Sequence, residues 1–350
     1  MKSVKDIEET RRGYHDDGML NSVHHASLLV PELPNCRASI SFLNHFLVKR
    51  GYKHIACRVT SLDREGNRLE ARLHEVKEPR VYTINLSVNI ETDAHSHIVE
   101  FFSADNIFIP FPAVVINHQG KSFFNMVHAY NRVLNDVFED DAINGNPVAE
   151  ASLDVEIDEQ TDTFMLFSAG EQAVKSAIEI ELATPDFVKQ KVLPVILPRF
   201  GHKLIKLGTH TKQNVAGGVL KIRPPKQSMF YGRIFSGRVT NDGSFSANHS
   251  FYDSSTVEEY WSNGDASSRL YPFDITAKNI VRIYPIMSPS ELDFSIEYMG
   301  FNGATLGCSR IGLLKSPSSH FIDICVNEFV LSAGLSVQEI GAFYLTAQPV

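Results

Sequence analysis

Three prolines, Pro79, Pro198 and Pro317, stand at two equal steps of 119 residues, and each opens a comparable stretch of chain. Ahead of each proline lies an apolar strand-like run, a short polar link and an alternating run that ends in a turn: residues 39–63, 162–186 and 279–303. Behind the prolines come "EPRVYTINL", "LPRFGHKLIKL" and "SPSSHFIDI", then "HIVEFF", "GGVLKI" and "GAFYLT". An order of events that recurs at a fixed period signals an internal repeat, which constrains a fold more than any local propensity does. The runs themselves alternate with period two and are rich in Val, Ile, Phe and Tyr, the residues a half-buried pleated surface prefers. The expectation is a mostly β chain of three tandem antiparallel sandwich units with short helical connectors.

The boundaries follow from where the periodic runs begin and stop. They place an N-terminal arm at 1–36, sandwich units at 37–120, 161–240 and 276–350, and connectors at 121–160 and 241–275. Helical periodicity is confined to "KDIEETRRGY", "FFNMVHAYNRVLNDVF" and "SVQEIGAF". One or two larger jelly rolls, in which such runs recur through composition alone, form the competing architecture. At 350 residues the chain has length for two or three domains.

A formal net charge of −8 opposes a general nucleic-acid binder, which needs a basic surface to meet phosphates. Cys36, Cys57, Cys308 and Cys325 include no CxxC pair, so buried free thiols are expected. The charged N-terminus has no apolar core of a secretory signal, and no run is long and apolar enough for a membrane span. A reducing cytoplasm is the location this predicts, and the sequons at Asn85 and Asn248 carry little weight there.

One motif recurs within the repeat. Leu-Asn-Ser-Val-His24, Phe-Asn-Met-Val-His128 and Phe-Ser-Ala-Asn-His249 each place a histidine four residues after an apolar anchor, ahead of a unit. Equivalent positions in three similar units can converge, and three imidazoles meeting form a metal site with an open coordination position. His24, His128 and His249 are the expected ligands of a divalent metal ion, zinc or iron first, with copper and nickel also suited to imidazole. His24 fits better than His25, because it alone keeps the shared spacing. Asn21, Asn125 and Asn248 are placed to orient the rings. The opposing reading gives each histidine a surface or packing role at a strand-to-linker junction.

Other groups compete or assist. His45 and His118 sit in Asn-His pairs, and His95 and His97 stand two apart in a polar stretch that reads as a solvated loop. Asp253, four residues after His249, and Glu100, inside an apolar strand, are the acid–base candidates. Glu100 serves equally as the partner of an arginine such as Arg58 or Arg80. The segment around Tyr260 and Trp261 offers aromatic faces for a small-molecule or carbohydrate ligand. Nucleophile-elbow, phosphate-loop, dinucleotide, zincin and EF-hand motifs do not occur, so the chain reads either as a metal-binding protein, with enzymatic activity undecided, or as a non-enzymatic interaction module.

Overall fold

The computed structural model describes residues 25–87, 94–103, 113–133, 150–170, 173–184, 186–211, 214–223, 229–230, 234–253, 266–283, 291–314 and 322–350. These form five antiparallel sheets of four or five strands and two two-stranded ribbons. The mostly β expectation is met. Two compact units are present: Met1–Glu181 with Gln190–Ser254, and Leu182–Lys189 with Ser255–Val350.

The first unit holds two blocks. In the first, β1 (His25–Pro31), β6 (Ser96–Ser103), β3 (Ile55–Leu62) and β4 (Arg68–Val76) form one sheet, in that spatial order. β5 (Val81–Asn85), β2 (Cys36–Leu43), β7 (Val115–Gly120) and β8 (Phe124–His128) form the other. Alternation sends Ala38, Ile40 and Phe42 of β2 inward, against Val59 and Cys57 of β3 and Val99 and Phe101 of β6. The polar link expected between β2 and β3 contains a short helix, α1 (His45–Arg50). Asn44 caps it by accepting from Leu47 N–H, and Gly51 ends it at φ 69°, a left-handed conformation that glycine adopts without steric cost.

The second block repeats the wiring. β10 (Glu150–Ile157), β15 (Val215–Arg223), β12 (Val174–Ala183) and β13 (Val188–Leu197) follow the order of β1, β6, β3 and β4, with β19 (Phe251–Asp253) added beside β10. β14 (His202–Lys206), β11 (Thr161–Ser168), β17 (Phe235–Thr240) and β18 (Phe245–His249) follow β5, β2, β7 and β8. The turn α2 (Gly208–Thr211) and a ribbon of β9 (Arg132–Val133) with β16 (Met229–Phe230) complete the unit. Phe164, Leu166 and Phe235 of the second block lie in one continuous apolar core with the first block's Leu28, Ile40 and Phe101.

In the second unit, β20 (Ser267–Pro272), β25 (Ile340–Pro349), β22 (Leu292–Gly300) and β23 (Thr305–Leu314) form a sheet, and β21 (Ile280–Ile283) pairs with β24 (Ile322–Cys325). Its core gathers Phe294, Ile296, Tyr298, Ile324, Val330 and Phe343.

Several boundaries differ from the periodicity. β8, β10, β18 and β20 lie in segments read as arm or connector, and β1 lies in the expected N-terminal arm. The helix expected from Phe123 onward is strand β8 as far as His128, because its neighbour β7 offers a ladder that outweighs local propensity. "SVQEIGAF" gives one 3-10 turn (Val337–Glu339) and then β25, paired on both sides; the helix here is α3 (Val326–Ser332), a segment the pattern did not single out. "KDIEETRRGY" lies outside the described residues. Of the four free thiols, Cys57 is fully buried, Cys36 and Cys325 are half-buried, and Cys308 is exposed on β23, contrary to the expectation of uniform burial.

Candidate metal centre

His128 is the last residue of β8 and His249 the last of β18. They close equivalent strands, and their registers coincide. His128 stands opposite Val115, which stands opposite Ser41. His249 stands opposite Phe235, which stands opposite Leu166. β8 and β18 run side by side in the same direction, with Ser122 Oγ 2.8 Å from Ser244 Oγ and Asn125 Oδ1 accepting from Ala247 N–H at 2.8 Å. That alignment brings the two imidazoles together: Nε2 to Nε2 is 2.7 Å, with ring centroids 4.5 Å apart and planes at 71°.

The other nitrogen of each ring is held the same way. His128 Nδ1 lies 2.9 Å from Ala129 O, and His249 Nδ1 lies 3.0 Å from Ser250 O. A carbonyl oxygen only accepts, so both Nδ1 atoms carry hydrogen and donate. In a neutral ring Nε2 then carries the lone pair, and the two Nε2 atoms face each other. Two facing lone pairs repel unless something positive lies between them: a proton, which makes one ring imidazolium, or a metal ion. A histidine that donates its second N–H to a backbone carbonyl is the arrangement that orients metal-ligating imidazoles. Two imidazole nitrogens about 2.0–2.1 Å from one ion stand roughly 2.9–3.4 Å apart, so ring shifts of a few tenths of an ångström admit an ion.

Asn125 and Asn248 do not orient these rings. Asn125 Oδ1 accepts from Ala247 N–H, and Asn248 Oδ1 accepts from His249 N–H at 2.9 Å. His24 and Asn21 lie outside the described residues, as do Tyr260 and Trp261. Asp253 ends β19, opposite Glu150. Glu100 sits on β6 with both carboxylate oxygens engaged by Arg58, Nε to Oε2 at 2.8 Å and the terminal nitrogen to Oε1 at 2.9 Å. The arginine that pairs with Glu100 is thus Arg58. Among the described residues no group of three or more His, Cys, Asp and Glu side chains is arranged to hold an ion.

The competing histidines have other surroundings. His45 opens α1, its Nδ1 3.3 Å from Leu43 O, and burial lowers its pKa. His118 is buried among Phe235 and Phe245, and desolvation pushes its pKa down to about 4. His97 is not in a solvated loop: it lies in β6 and is 1% exposed, while His95 precedes the strand and is half-buried. His97 Nε2 donates to Glu32 Oε1 at 2.6 Å, and its Nδ1 lies 3.1 Å from Ser61 Oγ. Ser87 Oγ donates to the same Glu32 oxygen at 2.5 Å. Burial raises the Glu32 pKa, but the bonds from His97 and Ser87 outweigh it and hold the carboxyl below its usual range. Serine, histidine and carboxylate in sequence have the form of a nucleophilic relay, yet Ser61 is as buried as His97. The network therefore satisfies buried polar groups. Beside it His95 stacks on His202 at 3.9 Å, where desolvation and the neighbouring His95 push the His202 pKa down to about 3.

Period-two alternation was visible in advance, but the Glu32–His97 contact joins residues 65 positions apart and left no signal in sequence. No family model matches the chain, and no curated protein matches it. Among solved structures, a calcium-binding mutant of Bacteroides uniformis beta-glucuronidase 2 aligns with 72% of this chain and 27% of that chain, at 8% identity and a TM-score of 0.15. The chain thus spans about a quarter of that structure's length, and a likeness at this level carries no argument about fold or function.

Proposed function

We propose that this is a metal-binding protein whose site lies at the seam of its first two β blocks, with His128 and His249 as ligands and His24 as the third. The observation that carries this reading is the facing Nε2 pair at 2.7 Å, each ring turned by its own following carbonyl. The strand order shared by the first two blocks supports reading them as copies of one unit, and a third copy in the second unit is part of the proposal. Two or three imidazoles leave coordination positions open to water or a small donor molecule, as a catalytic centre requires. Asp253 is the remaining acid–base candidate, since Glu100 is held by Arg58.

Metal analysis of the purified full chain, supplied with Zn²⁺ and Fe²⁺ during expression, tests the reading. Near-stoichiometric metal that is lost in His128→Ala and in His249→Ala is expected. A metal-free wild-type protein, or retention of metal in both variants, overturns it. Loss in His24→Ala identifies the third ligand.

A second reading, a non-enzymatic carbohydrate-binding face, draws on the outward side of the β5-β2-β7-β8 sheet. There half-buried Ser39 and Ser41, bonded to buried Asn117, form a polar row beside Phe124, which is 59% exposed. Glycan binding abolished by Phe124→Ala, in a protein free of metal, is the result that favours it.

A further inference from the structure

We infer that the ion this seam selects is copper in its reduced state, with the Met126 thioether as an additional ligand; this rests on the His128–His249 metal reading. Phe124, Met126 and His128 alternate with buried Asn125 and Val127, so all three project from one face of β8. Same-face residues two apart on a strand stand roughly 6–7 Å apart at Cα, a span that a flexible thioether and an imidazole close onto one ion. Met126 is 62% exposed, an unusual placement for a side chain that ordinarily fills cores.

The surrounding donors point the same way. The register partners of His128 and Met126 on β7 are Val115 and Asn117. Asn117 Nδ2 already donates to Ser41 Oγ at 2.9 Å and lies 3.3 Å from Ser39 Oγ. None of these register neighbours is a carboxylate, which hard cations require, whereas two imidazoles and a thioether form a borderline-to-soft set. The second block supplies its histidine but no sulfur: Ala247 occupies the place of Met126, two residues before His249. The soft ligand therefore comes from the first block alone.

The experiment titrates the full-length chain with Cu(I), kept reduced and buffered by a chromophoric Cu(I) chelator, and separately with Zn(II). Met126→Leu keeps the volume and apolar character of an exposed side chain. It is expected to weaken Cu(I) binding by about tenfold or more while leaving Zn(II) affinity within about twofold. His128→Ala and His249→Ala are expected to weaken both. X-ray absorption of the Cu(I) form should show a sulfur scatterer that Met126→Leu removes. Unchanged Cu(I) affinity and an unchanged absorption spectrum in Met126→Leu overturn the copper assignment while the metal reading stands. If neither ion binds the wild-type chain, the metal reading itself falls.

Discussion

The two blocks of the first unit share one strand order and differ in what lies on one sheet face. In the second block the face built by β11, β17 and β18 carries Leu166, Phe235, Phe164, Gly237 and Ala247, and it is buried in or against the first block's core. The same grid positions in the first block carry Ser41, Val115, Ser39, Asn117 and Met126; Val115 and Met126 are exposed, the two serines half-buried and Asn117 buried. Gly237 also answers to packing, since a Cβ there would fall 2.2 Å from Ser246 O. Topology is thus the same in both blocks, while side-chain chemistry at these five positions decides whether a face docks. The histidine and the phenylalanine four residues before it are kept in both, and docking brings the two histidines together.

The sharpest way to break this comparison is to truncate matched positions. Phe235→Ala removes a fully buried ring from the shared core and should cost about 3–5 kcal/mol in urea unfolding. Val115→Ala, at the equivalent place, should cost less than about 1 kcal/mol. Equal losses would show that the two faces are not used differently.

Acid tests the seam next. His202, at the start of β14, is held at about 3 when folded against about 6.5 unfolded, and His118 at about 4. The folded state therefore binds fewer protons than the unfolded state between these values. Stability contributed here is complete above about pH 6.5 and is lost as the pH falls toward 3–4. Thermal unfolding between about pH 7.5 and 4.5 should show Tm falling with acid, and His202→Leu should flatten that slope. An unchanged slope would remove His202 from the account.

The smallest effect compares ion pairs on equivalent strands. Arg58 bridges β3 to β6 with two short bonds to largely buried Glu100, whereas Lys221 reaches Glu181 across β15 and β12 at 4.0 Å. Arg58 is itself 46% exposed, which limits the bridge through solvent screening. Arg58→Ala should cost about 1 kcal/mol and Lys221→Ala nothing measurable in the same unfolding assay. A reversed order would contradict the geometry.

The sequence by itself determined the β-rich class, the alternating inward faces of β2, β3 and β22, and the Phe-x-x-x-His128 and Phe-x-x-x-His249 spacing, because these follow from local periodicity. Strand β8 was not legible as a strand, since its propensity is mixed and its partner β7 supplies the ladder. The burial of His97 was hidden by its polar neighbours and depends on Glu32, far away in sequence. That His128 and His249 face each other through Nε2 was decided by tertiary structure alone. It requires two edge strands 121 residues apart to lie side by side, and each Nδ1 to find the carbonyl of the residue that follows. A side chain's periodicity is written in its neighbours along the chain; its partner is set by which faces are apolar enough to bury one another.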